Sequence, residues 1–247
     1  MNAKLKELYK VINQKFPVIG SLARRIYYQK PFDTVTKKIN GKNNVINYEG
    51  SILSSVKFDI IGNGNSINIQ SSCVLNAVTF YILGDNHVID IGEGSRFIRG
   101  GNIWFEDSGG SLIIGDKCSF EDAHLAVTEP GSSIKIGHDC MFAYDIDVRT
   151  GDSHSIIDAN SQERINYAKD VSIGDHVWIA AHCTILKGVH IPDESVVATG
   201  SIVTKPFSQK GVIIAGNPAR VVKEGITWSR KRVYKTIDFP GISRRIG

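Results

Sequence analysis

The sequence contains no run of eighteen apolar residues, so it offers no candidate membrane-spanning helix. Its N-terminus has no signal-peptide core, and the expected setting is a soluble, cytoplasmic protein. Cysteine is scarce: four residues in 247, which would allow two disulfides or a metal site unless their positions argue otherwise. Net charge is also small, at +4, but it is unevenly spread. Residues 1–30 carry +6 and residues 223–247 carry +5, leaving −7 in between. The basic ends lack interleaved stacking aromatics on a recognisable module, which argues against a nucleic-acid partner. Leu5, Leu8, Ile12, Phe16 and Ile19 have helical spacing, which predicts an amphipathic N-terminal helix interrupted near Pro17. Such a helix can cap an open β edge or touch an anionic membrane surface.

The middle of the chain lacks the three-and-four spacing of helices and the strict alternation of single strands. "VSIGDHVWIAAHCTILKGVHIPDESVVATGSIVT" (171–204) instead repeats every six residues. Ile173, Ile179, Ile185, Ile191, Val197 and Val203 mark the beat, and Val177, Cys183, Val189, Ser195 and Ser201 sit four places after the first five. One inward aliphatic and one small residue per six describe a chain that runs straight, turns and runs straight again. Three such edges make an eighteen-residue coil of a parallel β-helix, stable only when coils stack. Upstream, Ile69, Ile91, Ile114 and Ile136 each precede a small residue by four: Cys73, Ser95, Cys118 and Cys140. These units recur every 22 or 23 residues, as an eighteen-residue body plus a bulging loop with turn residues such as "GNGNS" and "DSGGS". The repeat is legible from about residue 45 to 205. All four cysteines fall on its small inward position, which reads as packing rather than disulfide or metal chemistry.

Several motifs carry a family likeness: "RTGDSH" (149–154), "ERIN" (163–166), "DVSIGDHVWIA" (170–180), "TILKGV" (184–189) and "AGNPARVVKEGITWSRK" (215–231). With the aliphatic–Gly–x–x–small–x rungs, they make the chain resemble the hexapeptide-repeat acyltransferases, and within them the O-acetyltransferases of bacterial capsules and polysialic acid. The resemblance implies an all-β, left-handed parallel β-helix; the general crossover rule would favour the opposite hand. It implies acetyl-CoA as co-substrate, no metal, a polysaccharide or sugar acceptor, and a homotrimer whose clefts lie between subunits. The expected organisation is a helical cap (1–40), a catalytic β-helix (41–205) with an active-site loop at about 149–170, and a C-terminal capping strand or helix with a basic tail (206–247). The membrane that the basic ends could touch would be the bacterial inner membrane.

Acetyl transfer to a hydroxyl needs a base for the hydroxyl proton and a donor for the oxyanion. Histidine suits the first role because its reference pKa is ~6.5. Of seven histidines, His154 alone lies in a loop interrupting the hexapeptides, where function concentrates, and it matches the family's catalytic histidine. Asp152 either orients His154 or shapes the turn; Asp145 and Asp147 are other candidate partners. Trp178 opens a rung as an outward indole, which calls for a ligand or a neighbouring subunit; the resemblance puts it in the active-site cleft. Arg149 and Arg164 flank the loop and are candidates to pair with a carboxylate on an acidic sugar, although "ERIN" also reads as a loop staple. By resemblance, Ala180, Ala181, Thr199, Gly200 and Thr204 run beside the acetyl-CoA, and Lys205 and Arg220 meet its phosphates. The family commonly has Gly at the position of Ala180 and "GA" at Ala198–Thr199. The rival readings are an N-acetyltransferase of an amino sugar nucleotide, a zinc enzyme on the same fold, and a non-catalytic structural β-helix.

Overall fold

The computed structural model describes residues 34–234, and every regular element among them is a β-strand. The chain winds in three-stranded coils. The first three are β1 (Thr36–Asn40), β2 (Val45–Asn47), β3 (Ile52–Ser54); β4 (Lys57–Ile61), β5 (Ser66–Ile69), β6 (Val74–Asn76); and β7 (Val78–Leu83), β8 (Val88–Ile91), β9 (Arg96–Phe97). Next come β10 (Gly101–Phe105), β11 (Ser111–Ile114), β12 (Ser119–Phe120), then β13 (Ala123–Val127), β14 (Ser133–Ile136), β15 (Met141–Phe142). The sixth coil is β16 (Ile146–Arg149), β17 (Val171–Ile173), β18 (Trp178–Ile179), and the seventh β19 (Thr184–Ile185), β20 (His190–Ile191), β21 (Val196–Val197). The eighth has β22 (Ile202–Val203) and β23 (Ile213–Gly216), on which β24 (Ala219–Lys223) folds back antiparallel. Every third strand stacks in parallel, giving sheet A (β1 to β22), sheet B (β2 to β20) and sheet C (β3 to β23, with β24 at its edge).

The beat of six sets this geometry because each inward residue meets its equivalents one coil above and below. Ile91, Ile114, Ile136, Ile173 and Ile191 form one buried column on sheet B. Phe97, Phe120 and Phe142 form another on sheet C, with ring centroids 4.4 and 4.6 Å apart. Burying such a column supplies the non-directional part of the stability. The glycine after the aliphatic is dictated by the neighbouring coil: a Cβ on Gly174 would lie 2.2 Å from Asp193 Oδ1.

The surplus residues of the long coils all emerge at one corner. Phe58, Phe80, Ile103 and Leu125 stack inward on sheet A. Each lies eleven residues before its sheet-B counterpart, whereas Ile185 precedes Ile191 by six. In the sixth coil the gap from Val148 to Ile173 grows to twenty-five. The loop carrying His154 is therefore an enlargement of a corner that already bulges in every upstream coil.

The strand ladder starts within the stretch expected to be a cap, since β1 begins at Thr36, and it continues past residue 205, since β23 stacks on β21. The expected amphipathic helix lies outside the described residues. All four cysteines are free and buried. Each thiol donates to a carbonyl of the next coil: Cys73 to Gly92, Cys118 to Gly137, Cys140 to Gly174 and Cys183 to Ala198, at 3.0–3.1 Å. Ser95 makes the same bond to Gly115 at 3.0 Å, so serine and cysteine are equivalent here. Burial pushes the Cys73 and Cys183 thiols up, and the neighbouring Cys118 together with burial does so for Cys140. A thiol reagent should accordingly label the native protein slowly and the denatured protein at all four sites, and Cys183→Ser should leave turnover intact. Fast labelling that abolishes activity would point to a cysteine acyl-enzyme instead.

The same corner buries one ionisable group. His87 is 1% exposed, packs edge-on to Phe105, and accepts the Gly110 N–H on Nδ1 at 3.0 Å. Burial holds its pKa below the ordinary histidine value. The folded state then binds fewer protons than the unfolded chain, so this contribution is present above ~6.5 and is lost as pH falls toward the depressed folded value. Melting curves between about pH 7 and pH 5 should show a Tm decline that is shallower in His87→Asn; equal slopes would remove His87 as the cause.

Candidate active site

The enlarged corner between β16 and β17 is a closed structure. At its base Lys169 N–H donates to Thr150 O (2.9 Å), and Asp170 Oδ1 accepts Ser133 N–H (2.8 Å). Beyond the base the chain forms a short hairpin, with Ile165 N–H on Ile156 O (2.9 Å) and its tip capped by Asp158 Oδ1, which accepts from Asn160 and Ser161.

Asn166, 7% exposed, holds the loop together. Its Nδ2 donates to Asp152 Oδ2 (2.9 Å) and to the carbonyl of His154 (2.8 Å), and its Oδ1 accepts from Ile156 N–H (2.7 Å) and Arg164 Nε (3.1 Å). A single amide thus fixes the backbone on both sides of the histidine, and every polar atom it buries is used. Arg164 forks onto Glu129, with Nη1 to Oε2 at 3.0 Å. Lys187, from the corner after β19, bonds Asp152 and donates to Asn166 O at 2.8 Å. Partial burial raises the Asp152 carboxyl, but the hydrogen bonds from Lys187 and Asn166 and the nearby cations outweigh it and hold the group below the usual carboxylate range.

Asp152 faces Lys187 and Asn166. Its link to His154 is through the backbone, where His154 N–H donates to Asp152 O at 2.7 Å. The Asp152 carboxylate makes no hydrogen bond to the His154 ring. Arg149 is paired with Asp147, and Arg164 with Glu129. Neither guanidinium next to the loop is therefore without a carboxylate of its own.

Among the described residues, His154 is the one histidine whose ring has no hydrogen-bond partner, and it is exposed. The other six are engaged. His87 accepts from Gly110 and His138 from Asp116 N–H at 3.0 Å. His124 meets Asp147 at 3.2 Å, His176 Asp139 at 2.9 Å, His182 Asp145 at 2.6 Å and His190 Ser172 at 2.7 Å. No group of three or more His, Cys, Asp or Glu stands together to hold a metal among the described residues.

Trp178 lies half-buried on β18 in sheet C, between Met141 and Val196 of the adjoining coils. Sheet C is the face opposite the corner that bears His154, so one copy of the chain does not bring the two together. Beside Trp178 the C-terminal segment climbs back over the coils. Trp228 stacks on His176 at 4.2 Å, lies 6.0 Å from Trp178, and donates its indole N–H to His176 O at 2.6 Å. Arg230 reaches Asp139 Oδ1 (2.9 Å) and Ser119 Oγ (2.7 Å). Asn166, Lys187 and Trp228 were not singled out from sequence. Each nevertheless lies inside a motif that the sequence offers: Asn166 closes "ERIN", Lys187 is in "TILKGV" and Trp228 is the indole of the tail motif.

The residues expected around acetyl-CoA divide between two edges of the prism. Ala180 and Ala181, after β18, stack on Thr199 and Gly200, after β21, through Gly200 N–H to Ala181 O at 2.9 Å. Arg220, on β24, pairs with Ala215 in the hairpin below them and is exposed. Thr204 and Lys205 follow β22 and are exposed at the corner below Lys187, on the edge that carries the loop.

Comparison with known proteins bears on this arrangement. A family model described as the hexapeptide repeat of succinyl-transferase matches residues 170–205. A polysialic acid O-acetyltransferase of Neisseria meningitidis is 36% identical over 198 residues, 80% of this chain and 91% of that protein. A polysialic acid O-acetyltransferase of Escherichia coli O1:K1 / APEC is 37% identical over 122 residues, 49% of this chain and 39% of that protein. The crystal structure of the polySia-specific acetyltransferase NeuO superposes with a TM-score of 0.74 at 32% identity, covering 83% of this chain and 93% of that one. The fold is the expected left-handed parallel β-helix.

Proposed function

This chain belongs to the hexapeptide-repeat acyltransferases, in the group of the polysialic acid O-acetyltransferases, and is an acetyltransferase; on that premise we propose that it moves acetyl from acetyl-CoA to a hydroxyl of a bacterial cell-surface polysaccharide or its precursor, with His154 as general base. The observation that carries the reading is the free, exposed ring of His154 in a loop whose backbone on both sides of it is pinned by Asn166. A base must be within hydrogen-bond reach of the proton it takes and not already spent on a neighbour. The Asn166 amide on the His154 carbonyl fixes the backbone and leaves the imidazole to the substrate.

Transfer is direct. The acceptor hydroxyl loses its proton to His154 as its oxygen attacks the thioester carbonyl, and the thiolate of CoA leaves and takes up a proton. The small residues at Ala180, Ala181 and Gly200 leave room for the pantetheine arm along the backbone, with Thr199 beside it; Thr204 and Lys205, on the loop-bearing edge, reach the same CoA from the adjoining copy, and Lys205 and Arg220 are exposed cations for the phosphates. Because His154 and Trp178 occupy opposite sides of one prism, the reading calls for a homotrimer in which each cleft takes the loop of one copy and sheet C of the next. We place the protein in the cytoplasm, with the basic ends at the inner-membrane face.

The test incubates protein, acetyl-CoA and a panel of bacterial polysaccharides and maps new O-acetyl groups by NMR; acetylation of amino groups alone would sink the O-transfer reading. In the same assay, Lys205→Ala and Arg220→Ala should each raise the KM for acetyl-CoA, and not that for the acceptor, by roughly tenfold to a hundredfold. An unchanged acetyl-CoA KM in both variants would remove these cations from the site.

A further inference from the structure

Sheet A carries a groove that the catalytic reading does not use. Its outward residues stack coil on coil: Asp59, Tyr81, Trp104, Ala126 and Arg149 form one column, and Thr79, Asn102, His124 and Asp147 the next. Tyr81 and Trp104 stack at 4.1 Å, and Ala126 leaves a notch between the indole and Arg149. A cavity of about 300 Å³ occupies the notch, bounded by Trp104, Thr128, Arg149 and the loop residues Gly151 and Ser153, the last adjacent to His154. A second, of about 340 Å³, shares Asn102 and His124 with it and continues to Asp122 and Asp145 at the far corner. Together they run the length of the strands, roughly 16 Å at ~3.3 Å per residue.

Two polar atoms on the groove are buried without a partner: Thr128 Oγ1, on a residue 5% exposed, and Asn102 Oδ1. Buried polar atoms are ordinarily satisfied, and an orphan beside a cavity marks a position where a hydroxyl of a ligand, or a water it displaces, can hydrogen-bond. An indole floor set between hydroxyl and amide oxygens suits a sugar ring, with one apolar face and hydroxyl groups at its rim. The charges favour a neutral ligand over a polyanion. Glu106, Asp122 and Asp145 line the groove, Asp145 with His182 on one oxygen, while its single guanidinium, Arg149, and the imidazole of His124 are both held by Asp147. A sialic acid carboxylate would meet repulsion and no free cation, whereas neutral hydroxyls donate to these carboxylates.

We propose that this groove is the acceptor subsite and that it takes a neutral, hydroxyl-rich glycan segment, running from Asp145 toward Ser153 so that the chain reaches His154. The proposal rests on the acetyl-transfer reading above and narrows it: the acceptor differs in charge from the polymer that gives the relatives their names. Ala126→Leu fills the notch, and Trp104→Phe keeps a ring there while removing the fluorophore.

The experiment has two arms. In the first, tryptophan emission is followed as a neutral hexose–N-acetylhexosamine oligosaccharide, or a sialic acid oligomer of equal length, is added without acetyl-CoA. The neutral probe should quench the wild type, quench Trp104→Phe clearly less because only Trp178 and Trp228 then report, and bind Ala126→Leu at least about tenfold more weakly; the sialic oligomer should not quench. In the second, Ala126→Leu should raise the acceptor KM by a similar factor with the acetyl-CoA KM and the melting temperature unaltered. Quenching by the neutral probe with no transfer to it would uphold the groove and overturn the acetyl-transfer reading. Transfer with an unchanged acceptor KM in Ala126→Leu, or preferential binding of the sialic oligomer, would overturn the groove and leave that reading standing.

Discussion

His154→Asn should lower kcat by ~10²–10⁴ while acetyl-CoA binding and assembly persist. Asparagine keeps a polar side chain of similar reach and loses only the basic nitrogen. Because the Asn166 contact is to the backbone carbonyl, the loop should keep its shape, so the loss reports chemistry rather than folding. In the wild type kcat should rise with pH through one ionisation that the variant lacks, measured with the same acceptor so that slow transfer to water does not mask it. A folded variant retaining more than about half the wild-type turnover defeats the assignment, since a missing base costs at least ~10²-fold. Asp152 makes a poor substitute base, because its carboxylate is bound by Lys187 and Asn166 and held below its ordinary range. Arg149 and His124 occupy Asp147, and His182 occupies Asp145, in the same way.

What the sequence made legible was whatever repeats. Six-residue spacing gave the inward column from Ile173 to Val203, and it put Cys73, Cys118, Cys140 and Cys183 on one packing position, where the structure buries them. It also showed that the chain leaves the repeat after Val148, which singled out His154. The contents of the excursion were not legible, because loop contacts join residues with no periodic relation. Asn166 reaches back fourteen residues to Asp152 and Lys187 reaches back thirty-five, and neither interval is a multiple of the coil. For the same reason the sequence leaves Asp152 between orienting the imidazole and shaping the turn: its carboxylate partners, Asn166 and Lys187, are both contacts of this aperiodic kind. The groove on sheet A escaped notice because Trp104 and Ala126 sit in the irregular upstream coils, where the extra residues at the corner blur which positions point outward.

A mixture of two crippled variants should be more active than either one. Sheet C, with Trp178, is the face opposite the corner that bears His154, and on the proposed trimer a working cleft takes the histidine from one copy and the indole from the next. Trp178→Ala alone should reduce turnover at least about tenfold through loss of ring contact with the acceptor, and His154→Asn alone should be nearly inactive. When the two are refolded together in equal amounts, random assembly places an unmodified His154 opposite an unmodified Trp178 in about one quarter of the clefts. Activity should then approach about a quarter of the wild-type value, well above the mean of the two pure variants. Mixing the folded proteins without exchange of subunits should give only that mean, which separates complementation from simple addition. If each chain instead builds its own site, co-refolding cannot exceed the mean, because every histidine then works with the indole of its own chain. That result would confine catalysis to one prism and require another residue of the His154 corner, such as Lys187, to take over the part given to Trp178.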